Sequence, residues 1–264
     1  RRLAAPRPGE EGCAVRHGLT SIVIPSVNGL MLLRRCVASI RRHTDPEKTP
    51  YEIIVADDGS ADATAEWCAD ERIPFVRLPA TSGFPRACNM GMRMASGDQL
   101  MLLNNDVVAT PRWLENLLDA LHASDEIGAV GPVTNHAAPR QRVDIAFDGP
   151  DDFAAIAARL NAPDPAKREP ALRLVGFCML IKRPVYERVG GLDERFSPGH
   201  YEDDDYCFRI RMHGYGLRIC RDTLVWHEGS ASFRLGGEAA QQALIARNRA
   251  LFIEKWRADP AWFH

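Results

Sequence analysis

Residues 51–68 read YEIIVADDGSADATAEWC, and they place an apolar segment, an acidic loop and a helical segment in direct succession. Residues 51–56 are rich in β-branched side chains, which favour strands. The loop Asp57-Asp58-Gly59-Ser60 follows, and residues 61–68 have a helical composition. Asp62 falls near the first helical turn, where free backbone N–H groups stabilise a carboxylate. The stretch therefore predicts one strand–loop–helix unit.

Similar units lie on both sides of this stretch. Residues 21–24 form a β-branched run closed by Pro25, and residues 30–43 carry apolar side chains at helical spacing. Residues 74–78 and 86–95 predict a third strand and helix, and residues 99–103 a fourth strand. Repeated units of this kind predict an α/β fold with a mostly parallel sheet between helices. Ligands of such sheets bind beyond the carboxyl ends of the strands.

The second half of the chain is less regular. Residues 113–122 predict a helix, residues 129–133 and 172–182 predict strands, and residues 237–256 predict a closing amphipathic helix. Periodicity is lost between residues 135 and 170, where five prolines interrupt the sequence. We expect a variable, partly mobile loop there, with a short helix at residues 151–160.

Composition limits the class of protein. The chain has 264 residues, 45% of them hydrophobic, and its 33 basic and 35 acidic residues give a net charge of −2, which argues against a nucleic-acid partner. The longest apolar runs are shorter than the ~18 residues that span a bilayer, so we expect no transmembrane segment. Seven irregularly spaced cysteines predict buried thiols in a reducing compartment. Residues 1–18 predict a linker or N-terminal extension, which raises the hypothesis of further domains in a longer polypeptide.

Two acidic sites carry the functional argument. Leu103-Asn104-Asn105-Asp106 ends an apolar strand, and Tyr201-Glu202-Asp203-Asp204-Asp205-Tyr206 places four carboxylates in a row. Burying this much negative charge is costly unless a cation, a proton or a cationic partner offsets it. We therefore expect an enzyme that uses a metal, a reacting hydroxyl group, or both.

Each site has a chemical and a structural interpretation. Asp106 suits Mg²⁺ or Mn²⁺, which prefer oxygen ligands, but an Asp at a strand end also forms turns. His227 follows a short apolar strand and would complete a Mn²⁺ shell or bind a diphosphate, unless it is a core histidine. Asp57 and Asp58 would accept hydrogen bonds from a nucleobase and ribose, or would only shape a loop and helix cap.

The acidic run and the third helix leave further alternatives. Capping a helix needs one carboxylate, so one of the four at residues 202–205 is expected to act as a general base, although the residues alone do not say which. Arg86, Asn89 and Arg93 share one face of the third predicted helix. An arginine there would bind a phosphate bidentately, or the face would simply be exposed.

Taken together, these motifs resemble the family-2 glycosyltransferases over about residues 19–256. The order and spacing of the motifs carry the resemblance more than any single one. The matching residues are Ile22-Val23-Ile24-Pro25, Asn28, Asp57-Asp58-Gly59-Ser60, Asp62, Thr64, Gly83-Phe84, Asn89, Gly91, Leu103-Asn104-Asn105-Asp106, Gly190-Gly191-Leu192-Asp193, Phe196, Glu202-Asp203, Asp205, Arg209, His227 and Ser232-Phe233. The branch that they resemble most comprises bacterial rhamnosyltransferases and related enzymes of surface-polysaccharide assembly, including O-antigen.

The resemblance implies a Rossmann-like nucleotide-diphospho-sugar transferase fold, called GT-A, and inversion at the anomeric carbon. It implies a single domain at residues 19–264, with a nucleotide-binding half at 19–125, an acceptor half at 126–235 and a closing helix at 236–264. The implied donor is a dTDP-, UDP- or GDP-linked sugar, and the implied acceptor is a glycan or lipid-linked glycan. The expected cofactor is Mg²⁺ or Mn²⁺. The expected location is cytoplasmic, with peripheral attachment at the inner face of the membrane as a further hypothesis.

The resemblance also assigns roles to residues. Asp203 matches the general base, Asp106 matches the metal-binding acid of the DxD motif, and His227 matches a position near the metal and diphosphate. The sugar and acceptor pocket would include Gly176, Phe177, Glu202 and Asp203. The donor site would comprise Pro25, Val27, Asn28, Asp57, Asp58, Gly83, Arg86, Asn89, Asn104, Asn105 and Asp106.

Three positions depart from the family pattern. Val27 replaces a usual aromatic residue, Thr81 stands where an Asn is frequent, and Asn104 replaces the first Asp of the metal motif. A catalytically silent carbohydrate-binding or scaffolding domain of the same fold is the main alternative function. A sugar-phosphate nucleotidyltransferase is less favoured, because the loop after the first strand lacks a cationic residue for a triphosphate.

Overall fold

A computed structural model describes residues 18–229 and 237–263. Residues 1–17 of the linker predicted at residues 1–18, and the Ser232-Phe233 match, lie outside these ranges. The strands in the described ranges are β1 (Thr20–Ser26), β2 (Tyr51–Asp57), β3 (Phe75–Arg77), β4 (Gln99–Leu103), β5 (Val107–Val108), β6 (Ile127–Thr134), β7 (Arg168–Ala171), β8 (Cys178–Lys182) and β9 (Gly216–His227). The α-helices are α1 (Leu30–His43), α2 (Thr64–Asp70), α3 (Phe84–Met94), α4 (Trp113–Leu121), α5 (Pro150–Leu160), α6 (Arg183–Val189), α7 (Glu202–Met212) and α8 (Gly237–Trp256).

The strands form one mixed sheet in the order β3-β2-β1-β4-β8-β6-β9-β5, with β7 also paired to β9. Strands β1, β2, β3, β4, β6 and β9 run in one direction, whereas β5, β7 and β8 run in the other. The predicted α/β fold with a mostly parallel sheet is therefore confirmed. The antiparallel strand β8 joins the first four strands to the second half of the chain.

Helices cover both faces of the sheet. Every residue of β1 and β4 is buried, as their continuous apolar runs predict for central strands. On one face, Leu33 of α1 and Trp113 of α4 pack in one apolar cluster. On the other face, Met92 of α3 and Ile210 of α7 pack in a second cluster. The first turns of α3 and α7 thereby reach the same end of the sheet.

The helix predicted at residues 61–68 begins later, at Thr64. The carboxylate of Asp62 accepts hydrogen bonds from the backbone N of Thr64 at 3.1 Å and from its hydroxyl at 2.5 Å. Asp62 also accepts a bond from the backbone N of Leu30, the first residue of α1, at 3.1 Å. One carboxylate thus satisfies free N–H groups at the starts of two helices.

The strand predicted at residues 172–182 is correct only for Cys178–Lys182. Before it, backbone N–H groups bond to side chains instead of to a neighbouring strand. Val175 donates to Gln141 Oε1 at 2.7 Å, and Gly176 donates to Asp203 Oδ2 at 3.1 Å. The prediction is wrong for residues 172–177 because these contacts draw the segment toward α7 and away from backbone pairing with a neighbouring strand.

The irregular region at residues 135–170 contains α5 where a short helix is predicted. Buried Asn161 anchors its end, because the side chain donates to the Pro111 carbonyl oxygen at 2.7 Å and accepts from Leu224 N at 2.7 Å. Mobility of this region stays a prediction.

The six cysteines in the described residues are buried and free, and none of the described helices combines the length and apolarity that crossing a membrane requires.

The predicted C-terminal helix, α8, is fixed to α7 by a buried carboxylate. Asp205 accepts hydrogen bonds from Arg209 Nε at 2.8 Å, Lys255 Nζ at 2.5 Å and Trp256 Nε1 at 2.8 Å. Asn248 of α8 donates to the carbonyl oxygens of Phe196, Gly199 and His200. These contacts hold α8 against the segment that leads into the four acidic residues.

We expect Asp205→Asn to lower the free energy of unfolding by roughly 3 kcal/mol, because it removes the buried anion that the half-buried Arg209 and Lys255 contact and leaves Lys255 only Asp193. Urea denaturation monitored by circular dichroism measures the change. Asp144→Asn is the control, since Asp144 pairs with Arg142 on the surface, where ion pairs contribute less than about 1 kcal/mol. Equal losses in both variants would contradict the buried-anchor interpretation.

Candidate active site

A cavity of about 510 Å³ lies beyond the carboxyl ends of β1, β2 and β4. The first turns of α3 and α7 and one face of α8 complete its walls. Twelve of the sixteen residues predicted for the site line it: Pro25, Val27, Asp58, Gly83, Asn104, Asn105, Asp106, Gly176, Phe177, Glu202, Asp203 and His227. The two acidic regions, which are distant in sequence, therefore share one cavity.

Two of the other four predicted residues hold loops together. The backbone N of Asn28 donates to Ser60 Oγ at 2.9 Å, and its side-chain oxygen accepts from Ala61 N at 2.7 Å. Asp57 is fully buried and accepts from Ser60 N at 2.9 Å. Neither side chain lines the cavity. Asn28 thus joins the loops that follow β1 and β2, whereas Asp57 closes a turn within the loop after β2.

The remaining two predicted residues also lie outside the lining. Arg86 is exposed on α3. Asn89 is buried, and its amide donates to the Leu192 carbonyl oxygen at 2.9 Å and accepts from Leu192 N at 2.7 Å. Because its hydrogen bonds are committed there, Asn89 packs α3 against the loop after α6 and does not reach the cavity.

Asp58 links the cavity to the loop after β3. Its carboxylate accepts from Ser82 N at 2.7 Å and from Gly83 N at 2.8 Å. Burial raises the pKa of Asp58, and these two bonds only partly oppose the shift. Gly83 has φ of +97°, and a Cβ there would lie 2.5 Å from the Cα of Pro198. Glycine is thus required where the loop after β3 meets the segment before α7.

Pairing of β5 with β9 brings Asp106 and His227 together. Val107 is the register partner of His227, and Glu228 N donates to the Asp106 carbonyl oxygen at 3.2 Å. His227 Nδ1 lies 2.7 Å from the carbonyl oxygen of His136, and its ring stacks on Phe177 at 5.1 Å. Both contacts fix the ring so that Nε2 points at Asp106.

The Asp106–His227 contact provides a test for a metal. Nε2 and Asp106 Oδ1 are 3.2 Å apart without the alignment of a hydrogen bond. Because Nδ1 donates to His136, a neutral ring presents an Nε2 lone pair to a carboxylate oxygen. A proton or a cation stabilises such a pair. Burial lowers the pKa of His227, but its interactions with Asp106 and the His136 carbonyl oxygen outweigh this effect and raise it.

The donor set fits a divalent cation. The oxygens Asn104 Oδ1 and Asp106 Oδ1 and the nitrogen His227 Nε2 are buried and have no hydrogen-bond partner in the described residues. An imidazole that donates its other N–H to a carbonyl oxygen is the usual metal-ligand arrangement. Residues 18–229 and 237–263 contain no cluster of three His, Cys, Asp or Glu side chains that would hold a metal. Mg²⁺ commonly binds through one or two protein carboxylates plus substrate phosphates.

Asp203 is held in place by three donors. Its Oδ1 accepts from Asp204 N at 2.9 Å, and its Oδ2 accepts from Gly176 N at 3.1 Å and from Arg173 at 3.3 Å. Arg173 also contacts the Asp204 carboxylate at 2.9 Å. Burial lowers the pKa of Arg173, but the two carboxylates outweigh that effect and raise it. The guanidinium therefore stays charged beside Asp203.

Several residues of the cavity are not predicted from the sequence. Arg173 lies in an irregular segment and carries no motif. His200 and Tyr201, with φ of +72° and +69°, form a strained turn directly before Glu202. The half-buried Leu244 and Ile245 of α8 complete an apolar wall. Helical periodicity predicts that α8 packs on the body, but it does not identify the cavity that it covers.

Comparisons with known proteins agree with this geometry. The chain is 28% identical to protein y4gI of Sinorhizobium fredii over 92% of the chain, but it spans only 28% of that protein's length. It is 29% identical to the N-acetylglucosaminyl-diphospho-decaprenol L-rhamnosyltransferase of Mycobacterium tuberculosis. That match covers 87% of the chain and 84% of the relative.

The fold has a solved counterpart in the mannosyltransferase PcManGT from Pyrobaculum calidifontis, determined in complex with GDP-Man and Mn²⁺. The TM-score is 0.64 at 20% identity, with 95% of this chain and 68% of the other aligned. The fold is thus the GT-A glycosyltransferase fold. The model of the family described as "Glycosyl transferase family 2" matches residues 21–190. Because this match covers more than half of the sequence, the chain belongs to glycosyl transferase family 2.

Proposed function

We propose that the chain transfers a sugar from a nucleotide-diphosphate donor to a hydroxyl group of a glycan or lipid-linked glycan, with inversion at the anomeric carbon. The observation that carries the proposal is the shared cavity of Asp106 and Asp203. Inverting transfer by a single displacement needs an anion-stabilising site at one end of the reacting bond and a base at the other. The cavity contains residues suited to both tasks.

The donor end is formed by the loops after β1, β2 and β4. Asp58 is placed to accept from the nucleobase or ribose, and Pro25, Val27 and Gly83 form the walls near it. Asn104, Asp106 and His227 would hold Mg²⁺ or Mn²⁺ together with the diphosphate. When bound, such a cation neutralises the charge that develops on the leaving group.

The acceptor end is formed by α7, residues 173–177 and α8. Asp203 takes the proton of the acceptor hydroxyl group as that oxygen bonds to the anomeric carbon, while the bond from this carbon to the diphosphate oxygen breaks. Arg173 and the N–H groups of Gly176 and Asp204 keep the base oriented. No covalent enzyme intermediate forms, and an inverted product results.

The acceptor class and setting belong to the same proposal. The relative's name specifies an acceptor sugar linked through diphosphate to decaprenol. We infer a comparable glycan or lipid-linked glycan for this chain, in assembly of bacterial surface polysaccharide such as O-antigen. Transfer to a membrane-anchored acceptor is compatible with cytoplasmic protein attached peripherally to the inner face of the membrane. The single domain at residues 19–264 stays a prediction, as does a linkage to further domains.

A donor screen tests the function. The full chain is incubated with UDP-, dTDP- and GDP-sugars in Mg²⁺, Mn²⁺ or EDTA, and binding is measured by calorimetry and donor cleavage by release of the nucleoside diphosphate. We expect at least one donor to bind and to be cleaved slowly, with both events dependent on the metal. Binding without turnover, under all conditions and with added glycans, would favour a silent carbohydrate-binding domain. Binding of no donor would reject the transferase and would also favour the silent domain.

A further inference from the structure

The four acidic residues in the first turn of α7 have unequal partners. Asp205 accepts from two cationic side chains and an indole. Asp203 and Asp204 both contact Arg173. Glu202 is only 6% exposed, its Oε2 has no hydrogen-bond partner, and no ion pair of its carboxyl occurs in the described residues. One carboxyl group of the four therefore lies in the cavity wall without a compensating positive contact.

The surroundings of Glu202 favour its neutral form. The charged and titratable groups near it are Asp203 and Asp204 on its own helix, Arg173 from the segment before β8, and the thiol of Cys88 on α3. Arg173 is already committed to the two aspartates. Burial raises the pKa of Glu202 well above its usual range, and the charge of Asp203 adds to the effect. The positive end of α7 favours ionisation, but a helix terminus is a weaker influence than loss of hydration.

A neutral carboxyl group can do what an ionised one cannot, because its O–H donates a hydrogen bond. Its neighbour Asp203 differs, because both of its carboxylate oxygens accept hydrogen bonds. Two adjacent groups in one cavity thus offer a donor and an acceptor side by side. A sugar presents the complementary pair, since each hydroxyl group donates and each hydroxyl or ring oxygen accepts.

We propose that Glu202 is a neutral hydrogen-bond donor that binds an oxygen atom of the sugar next to the hydroxyl group that Asp203 deprotonates. This inference rests on the proposed glycosyl transfer and deepens it by assigning a recognition role to one of the two carboxyl groups. Glu202 would select a polyhydroxylated acceptor and would not itself remove the proton. Substitution by the matching amide should therefore preserve the hydrogen-bond donor at Glu202 but abolish proton removal at Asp203.

The first experiment needs no catalytic activity. Melting temperatures of the wild type and Glu202→Gln are compared between pH 5 and 8. The pKa of Glu in an unfolded chain is about 4.3. If the pKa of Glu202 is higher in the folded state, the folded wild type binds more protons than the unfolded chain. Wild-type stability therefore falls as pH rises toward the folded-state pKa. Glutamine does not titrate, so the melting temperature of Glu202→Gln minus that of the wild type should increase with pH.

Glu187→Gln is the matched control, because Glu187 is exposed on α6. Its difference from the wild type should stay flat across the same range. A flat difference for Glu202→Gln as well would overturn the proposal, since Glu202 would then titrate as an ordinary surface glutamate.

The second experiment tests recognition. Transfer from an active donor to a panel of methyl hexosides is measured for Glu202→Gln, which keeps a hydrogen-bond donor, and for Glu202→Met, which has similar length and none. We expect kcat/KM to be about tenfold higher for the Gln variant than for the Met variant. Equal loss in both would overturn the proposal, because the carboxylate itself would then be needed.

The outcomes separate the two levels of inference. Donor cleavage by the wild type together with a flat pH response of Glu202→Gln overturns the role of Glu202 and leaves the transferase function standing. Cleavage without transfer to any methyl hexoside also overturns it, because a sugar oxygen would not be what Glu202 recognises. Failure of every donor overturns both.

Discussion

Asp203→Asn is expected to lower turnover about a thousandfold while donor affinity changes less than threefold. General-base catalysis contributes about 10²- to 10⁴-fold to rate, and an amide cannot take the proton. The asparagine side-chain oxygen can still accept from Gly176 N, so the wall of the cavity should persist. Steady-state kinetics give kcat, and calorimetry with the donor gives the dissociation constant.

Asp204→Asn is the matched control for this substitution. Asp204 lies on the same turn of α7, lines the same cavity and contacts the same guanidinium as Asp203. We expect less than a tenfold loss of turnover, because only Asp203 is assigned the proton transfer. An equal loss in both variants would place the effect in the Arg173 ion pairs and withdraw the base assignment from Asp203.

Asp203, the proposed base, and Arg173, which contacts it, differ in how well the sequence predicts them. Four consecutive carboxylates at 202–205 are unusual enough in sequence to mark a functional helix start. Arg173 is a single cation in an irregular segment. Its contact with Asp203 is evident only from the structure, in which residues 172–177 are not part of the predicted strand. The backbone of that segment bonds to side chains on other elements, such as Asp203 and Gln141. Such long-range contacts leave no periodic signal.

In the sheet too, some strands are predictable from their own sequence, whereas others depend on contacts with residues that are distant in the chain. Strands β1, β2 and β4 are continuous apolar runs, so their positions follow from hydrophobic pattern alone. The sequence predicts strand β9 only near its end, because Arg218, Arg221 and Asp222 interrupt its apolar pattern. Buried Asp222 is matched by Arg168 at 2.9 Å, a pairing between β7 and β9 that neither strand reveals by itself.

Polar residues at strand ends also divide into two groups that sequence does not separate. Asp58 and Asp106 line the cavity, whereas Asn28 bonds to the loop after β2 and Asp57 bonds within its own loop. All four lie after apolar strands, where ligand contacts are expected. Adjacent residues of a strand point to opposite faces, so Asp57 and Asp58 cannot both turn toward one ligand without a bend. The direction of each side chain becomes evident only in three dimensions.

Asp106→Asn is expected to weaken donor binding in Mn²⁺ at least a hundredfold and to remove most of its metal dependence. The substitution takes away the one negative charge among Asn104, Asp106 and His227, which are the residues assigned to the cation. Calorimetry with the donor, in Mn²⁺ and in EDTA, measures both effects. In EDTA, the wild type and the variant should bind the donor with similar, weak affinity.

A stability measurement on the same variant distinguishes a cation from a proton at the Asp106–His227 contact. If a metal is what normally stabilises this contact, the metal-free wild type holds two electron-rich atoms 3.2 Å apart. Asp106→Asn then relieves that repulsion, and its free energy of unfolding in EDTA at pH 8 should equal or exceed that of the wild type. If a proton bridges the pair instead, the raised pKa of His227 makes the contact stabilising below that pKa. Asp106→Asn would then destabilise the protein at pH 6, and donor binding in Mn²⁺ would be nearly unchanged. The two explanations therefore differ in whether Asp106→Asn weakens donor binding in Mn²⁺ and in how the substitution changes stability with pH.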